Sequence, residues 1–490
     1  MKIDRKISEV GGKHSYQYLC LISTFFYWYA SDVFYMSMTF LEKNPNFLCL
    51  DGENNFTREC SKAEVCQSNL PHIFQPGYVD SWTSEFEFYC NDNLISLIGM
   101  IYFSGLTVGI IVFPYICDNL GRKTYVILIG TLLATVVTII PFVTNIYLLY
   151  FLLPLIGFCQ PIQEATLLLL TEKSSSGYRP IFSGIVISGD GLAGILIALL
   201  MSYFNSWRLN FYITAILLWI NNIIYYFVFV ESPHFLFVKN RNAELLETFN
   251  YIANFNNREY QDEIELVELE SLLPDISSHK IEFRGYSSFF KYKSQTITIF
   301  VMAYLWFIES CMFSGTVIYN KNFQDIYLIT MIGWLFDIIT GLISGPLINV
   351  EFLGRKRTTL LFLFINVICC GLFHFCFANG YSENILIILN SSARFAYNLV
   401  YVIMFVYTSE LFPTVIRSKA ICICSTIKGL GGIFSSYLVE FHSYYVFLVF
   451  SIISAIAFLL VCNINETLGH PLPQEIPEID EEKHKKREEE

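Results

Sequence analysis

Charge is what this chain has least of. Of its 490 residues only 15% are Asp, Glu, Lys or Arg, against about 25% in an average soluble protein. With a mean hydropathy of +0.48, that scarcity excludes a disordered chain, a small secreted disulfide scaffold and an ordinary multidomain cytosolic enzyme. No Gly-x-x-x-x-Gly-Lys-[Ser/Thr] loop is present, so an ATP-driven pump would lack its motor. The eight histidines show no metal-ligand spacing, and no cysteine pair has a zinc-like arrangement. Nothing points to an enzyme, a cofactor, a metal or a nucleic-acid partner. A cleavable signal peptide is also missing: the first apolar run is long, carries Asp32 and lacks a small-residue cleavage site, so it is expected to remain as a helix.

What the chain has instead is long apolar runs, 54% of its residues being hydrophobic and 17% aromatic. A spanning helix needs about 20 mostly apolar residues, and twelve stretches qualify: 17–40, 94–117, 124–143, 146–170, 181–204, 209–230, 295–318, 326–349, 358–378, 385–408, 420–439 and 444–463. They are too long for barrel strands and lack period-two alternation. The expected class is an all-α membrane protein of twelve transmembrane helices in two six-helix halves. Its parts are 1–230, a linker loop 231–294, a second half 295–465 and an acidic and basic tail 466–490.

Basic residues orient it. Lys2, Arg5, Lys6 and Lys13, then Arg122 and Lys123, Lys173 and Arg179, Lys239 and Arg241, Arg355 to Arg357, Arg417 with Lys419, and Lys483 to Arg487 all fall on one side of twelve spans. The positive-inside rule makes that side cytoplasmic, with both termini inside. Loop 41–93 is then outside. It holds Cys49, Cys60, Cys66 and Cys90, expected to form two disulfides in any of three connectivities, and a glycosylation sequon at Asn55. Asn390 and Asn465 match the same pattern but lie in a span and inside the cell.

The halves repeat each other. Asp118-Asn119-Leu120-Gly121-Arg122-Lys123 follows the second span, and Glu351-Phe352-Leu353-Gly354-Arg355-Lys356 follows the eighth. Glu172 with Arg179 follows the fourth span, and Glu410 with Arg417 the tenth. Glu231-Ser232-Pro233 ends the sixth, and Glu466-Thr467-Leu468-Gly469 the twelfth. Parallel six-helix repeats with a midplane site describe a major facilitator transporter. A lone Gly-Arg-Lys turn would read as a topology marker. Repeated beside matched Glu and Arg residues, it reads as a gating network of Asp118, Gly121, Arg122, Lys123, Glu172, Arg179, Glu231, Gly354, Arg355, Lys356, Glu410 and Arg417, whose ion pairs break when the halves rock.

Four stretches carry a closer likeness: Ser81-Trp82-Thr83-Ser84-Glu85-Phe86-Glu87-Phe88-Tyr89-Cys90, Glu231-Ser232-Pro233-His234-Phe235-Leu236, Tyr304-Leu305-Trp306-Phe307, and Ser409-Glu410-Leu411-Phe412-Pro413-Thr414-Val415-Ile416-Arg417. In these the chain resembles the organic cation, anion and zwitterion transporters, a branch of the major facilitator superfamily. It departs from them in His234 for the usual Arg, and in Gly429 beside Lys428, where the family often places an Asp or Arg that goes with substrate charge.

Seven spans carry one mid-span charge each: Asp32, Glu164, Asp190, Glu309, Asp337, Arg394 and Lys428. An ionised group at the bilayer centre costs at least about 2.5–3.5 kcal/mol, so these mark a wet or paired interior. The third, sixth, ninth and twelfth spans carry none, and the superfamily resemblance implies that those four are peripheral. Five acids against two bases suggest a cavity for a small organic cation or zwitterion. The expected binding residues are Asp32, Glu309, Asp337, Arg394 and Lys428, and with them Trp306 and Phe313, which the resemblance implies on the seventh span. Expected partners are that substrate and membrane lipid, at the plasma membrane; the sequence leaves uniport, exchange and ion coupling all open. An organic anion carrier comes second, a sugar carrier third, and a transport-inactive receptor last.

Overall fold

The computed structural model describes residues 2–50, 56–68, 71–175, 178–258, 293–348, 350, 352–412 and 414–468. Asn55, residues 259–292 of the linker loop and the tail from 469 lie outside the described residues. Among the described residues, ten helices are long and apolar enough to cross a membrane. They are numbered here as span 2 (Asp92–Leu120), 3 (Arg122–Ile139), 5 (Arg179–Phe204), 6 (Trp207–Val228), 7 (Lys293–Tyr319), 8 (Ile326–Ile348), 9 (Gly354–Ala378), 10 (Glu383–Leu411) and 11 (Thr414–Phe441), with span 4 in two pieces, Ile146–Cys159 and Ile162–Glu172. Span 12, Val446–Val461, is shorter. Span 1 is also in two pieces, Ser15–Ser31 and Val33–Leu41. All twelve expected runs are therefore helical.

The two breaks face each other. Pro161 has no N–H to continue span 4, and span 1 is interrupted at Asp32. Gln163 Nε2 donates to Asp32 Oδ2 at 2.6 Å and Gln160 Nε2 to Oδ1 at 3.4 Å. Polar side chains beside a broken helix in lipid need such partners, and each supplies the other's.

Spans 1–6 meet spans 7–12 along two seams, span 2 against span 11 and span 5 against span 8. Small residues allow the approach: a Cβ on Gly194 would come 2.3 Å from the Trp334 ring, and one on Gly432 would come 2.3 Å from Phe103. Spans 3, 6, 9 and 12 make their main contacts within their own half. Those four are the spans without a mid-span charge.

At one end of the bundle, loop 41–93 builds a three-stranded antiparallel sheet, order β2-β1-β3, from β1 (Phe47–Leu50), β2 (Phe56–Cys60) and β3 (His72–Phe74). The disulfides are Cys49–Cys60 and Cys66–Cys90, one of the three connectivities open to the sequence. Trp82 stacks on Phe34 and meets Trp207 edge-on, while Glu85 accepts from Trp207 Nε1 at 3.0 Å and pairs with Arg208. The loop is thereby seated on spans 1 and 6. At the opposite end, helices Pro233–Val238 and Asn242–Phe255 follow span 6. Asn256 accepts from Tyr16 N–H at 3.0 Å and donates to Val10 and Gly11 carbonyls, tying this segment to the start of the chain.

Candidate functional site

Where the halves meet, the mid-span charges separate into two groups. In spans 7–12 each base has an acid partner, with Arg394 Nη1 left without a hydrogen bond. Arg394 pairs with Asp337 at 2.5 Å, Asp337 also accepts from Asn398, and the guanidinium lies 4.4 Å from the Trp334 ring centre. Lys428 Nζ stands 3.7 Å from Glu309 and 4.3 Å above the Tyr401 ring. In spans 1–6 the acids have no such partner. Asp32 is buried between Gln160 and Gln163, and Asp190 lies within hydrogen-bonding reach of it, with Oδ1 unpartnered. Glu164, three residues past the span-4 break at Pro161, is exposed and faces Lys428 and Tyr401. Among the described residues none of these three acids forms an ion pair.

The aromatic expectations divide. Phe313 stacks on Tyr35 of the other half at 5.4 Å and meets Trp334 and Tyr397 edge-on. It stands at the seam. Trp306 does not: it is buried, its Nε1–H donates to Thr408 Oγ1 at 3.1 Å, and its ring packs on Tyr401 and Phe405. Trp306 thus stands behind Tyr401, with its one polar atom satisfied inside its own half. Tyr35, Gln160, Gln163 and Trp334 were missed. Tyr35 lies three residues from Asp32, and Gln160 and Gln163 are spaced to share a helix face, so spacing from a charged residue would have found three of them.

At the opposite end from the disulfides, each Gly-Arg-Lys turn builds the same assembly. Arg122 reaches Glu172 at 3.6 Å, and Arg355 reaches Glu410 at 2.9 Å. Ser232 Oγ donates to Glu172, and Thr467 Oγ1 to Glu410 at 2.6 Å. Glu231 accepts from Lys123 N–H at 3.0 Å; Glu466 accepts from the N–H groups of Arg355 and Lys356, each at 2.9 Å. These carboxylates cap the N-termini of spans 3 and 9, where free N–H groups and the helix dipole favour an anion. Burial raises Glu466, but backbone N–H donors from Leu468, Arg355, Thr467 and Lys356 more than reverse it and hold the carboxyl below its usual range. Glycine is required at both turns. Gly121 and Gly354 have φ of 102° and 64°, and a Cβ would come within 2.3 Å of Glu231 and 2.6 Å of Glu466.

Several expected partners differ. Among the described residues no ion pair joins Arg179 or Arg417 to the glutamate seven residues before it; Arg179 Nε donates to the Thr171 carbonyl at 2.8 Å, and Arg417 Nε to that of Phe412 at 3.2 Å. Cations at a helix C-terminus are satisfied by its free carbonyls. Lys123 and Lys356 contribute backbone N–H groups, and the Lys356 ammonium donates to the Cys462 carbonyl. Asp118 is exposed and 3.6 Å from Arg122, a contact of little energetic weight. Each assembly lies within one half. Glu466 completes the second of them, and the sequence pointed to it through the repeat of Glu231-Ser232.

Known proteins share this architecture. The inward-open xylose transporter XylE from E. coli superposes with a TM-score of 0.64 at 15% identity, over 93% of this chain and 97% of that one. Organic cation transporter 1 of Caenorhabditis elegans is 24% identical over 82% of this chain and 69% of its own length. Solute carrier family 22 member 15 of Xenopus tropicalis is 26% identical over 79% and 72%. These relatives bear out the resemblance to organic ion transporters. The model of the Major Facilitator Superfamily matches residues 20–436, and again 296–485. With twelve helices in two halves that join around a charged seam, the chain belongs to the Major Facilitator Superfamily and is a multi-pass transmembrane transporter working by alternating access, not an enzyme.

Proposed function

We propose that the chain carries organic cations, and zwitterions bearing a cationic group, across the plasma membrane, with both termini cytoplasmic and the disulfide loop outside. One observation carries the reading: Arg394 and Lys428 are engaged by Asp337 and Glu309 of their own half, which leaves the uncompensated acids Asp32, Asp190 and Glu164 on the other side of the seam. A cation entering there meets carboxylates that offset its lost hydration, and the ring faces of Phe313, Tyr35 and Tyr401 attract it. An anion would have to compete with Asp337 or Glu309 for either base. An inside-negative potential contributes about 2.3 kcal/mol per charge per 100 mV, enough to accumulate a monovalent cation. The relative named an organic cation transporter supports the same reading. Exposed apolar side chains such as Phe151 and Leu459 supply the lipid-facing surface.

Zwitterions are included because of Lys428. Its ammonium is 3.7 Å from Glu309, beyond hydrogen-bonding distance, so a substrate carboxylate can compete for it. The Gly121 and Gly354 turns, with their Arg–Glu pairs, hold each half rigid at the cytoplasmic end while the halves rock, which is their part in gating.

The test is uptake of labelled tetraethylammonium, a carnitine-like zwitterion and a dicarboxylate under clamped voltage. Voltage-dependent uptake of the first two is expected. Robust dicarboxylate transport with no tetraethylammonium transport would overturn the cation reading.

A further inference from the structure

A second charged cluster lies away from the cavity, at the disulfide end. Glu42 is the residue after span 1, Lys321 follows span 7, and Glu440 lies in the last turn of span 11. Lys321 Nζ is 2.9 Å from Glu42 Oε2 and 2.5 Å from Glu440 Oε2, with side chains only 5%, 3% and 7% exposed. Glu42 belongs to one half, Lys321 and Glu440 to the other. The ion pair therefore crosses the boundary that must part for this end to open.

The surroundings close in the same sense. Lys43 Nζ donates to the Lys321 and Phe323 carbonyls, each at 2.7 Å, and Thr39 Oγ1 to the Val317 carbonyl at 2.7 Å. Phe40 stacks on Tyr327. The Lys43 carbonyl in turn accepts from Ser81 Oγ at 2.8 Å and from Thr83, which couples the disulfide loop to the contact. A buried ion pair is a weak source of net stability, because desolvation consumes most of its attraction. As a latch that logic is an advantage: opening rehydrates all three groups, so the closed and open states stay near in energy.

We propose that Glu42, Lys321 and Glu440 are the outer latch of the transport cycle, closed here and parted whenever the cavity faces the disulfide side. The proposal rests on alternating access and not on the choice of substrate. On separation Lys321 stays with Glu440, and Glu42 is released to water.

The decisive experiment needs no knowledge of the substrate. A cysteine at Phe313→Cys, below the latch, is exposed in the full-length protein at the cell surface to a membrane-impermeant methanethiosulfonate, with the parent chain as background. Modification from the disulfide side is expected to be slow, and to quicken about tenfold in Lys321→Met and Glu42→Gln as the closed state loses its contact. The swap Glu42→Lys with Lys321→Glu, which again leaves one base and two acids, should return the rate towards the parent. Unchanged rates in the single variants, or a swap no slower than they are, would overturn the proposal. Lys321→Met misfolding is controlled by Glu42→Gln, which keeps shape and removes only charge.

Discussion

The two halves are copies at one end and unlike in the middle. At the Gly-Arg-Lys end, Arg122, Glu172, Ser232 and Glu231 are matched by Arg355, Glu410, Thr467 and Glu466. At the seam the match disappears: spans 7–12 hold two acid–base pairs, and spans 1–6 hold three acids with amide partners or none. What is repeated is the hardware that keeps six helices together through a motion. What differs is the part that must choose a solute. A transporter built from a repeat needs the first twice and the second once.

That comparison can be broken most severely at Arg394. Arg394→Ala strands buried Asp337 without its cation and should cost about 3–5 kcal/mol of stability, seen as a lowered thermal transition and loss of surface protein. Joint replacement of Arg394 by Met and Asp337 by Leu should recover most of it. If the single change leaves the protein stable, the pair is not structural and the base is available to substrate.

Neutralising an acid of the other half should do the reverse. Asp190→Asn is expected to keep the fold and lower tetraethylammonium uptake about 10- to 100-fold, as loss of a desolvated charge contact does. Lys428→Ala should spare that uptake and reduce transport of the zwitterion. Equal loss of both substrates in both variants would erase the proposed division of labour.

The smallest effects test the copies. Arg122→Ala and Arg355→Ala should each slow turnover, by about tenfold, while apparent affinity stays within a few-fold, because neither residue touches the seam. Normal turnover in either variant, measured with equal surface amounts, would remove its part in gating.

Much of this was legible in the sequence. Twelve apolar runs set the helices, and the glycine before each Arg-Lys marked a turn whose φ only glycine adopts readily. The mid-span charges marked the seam. Other features depend on chain segments far apart and left no local trace. Glu42, Lys321 and Glu440 each read as an ordinary charge at a helix end; their burial follows from three ends converging. Span 1 read as one helix over 17–40, since its break needs Gln160 and Gln163 opposite. Arg179 and Arg417 sit at a suggestive spacing from glutamates, but free carbonyls lie nearer. Trp306 shares a face with Phe313, yet one level along span 10 separates a satisfied indole from the cavity.

The break at Asp32 makes span 1 a lever. Its outer piece, Val33–Leu41, has nine residues, an arm of about 14 Å at 1.5 Å per residue. A swing of about 10° about Asp32 displaces the far tip by about 2.4 Å on that arm, enough to separate Glu42 from Lys321. The inner piece is anchored to span 6 through Ser23 and Tyr27 on Asn221 and Asn222, whereas such a swing would surrender the bond from Asn210 to Ser37 and those from Thr39 and Lys43 to the other half. Asp32 stands at the break and is also a proposed contact for the solute, so the two ends of the arm are the solute site and the mouth.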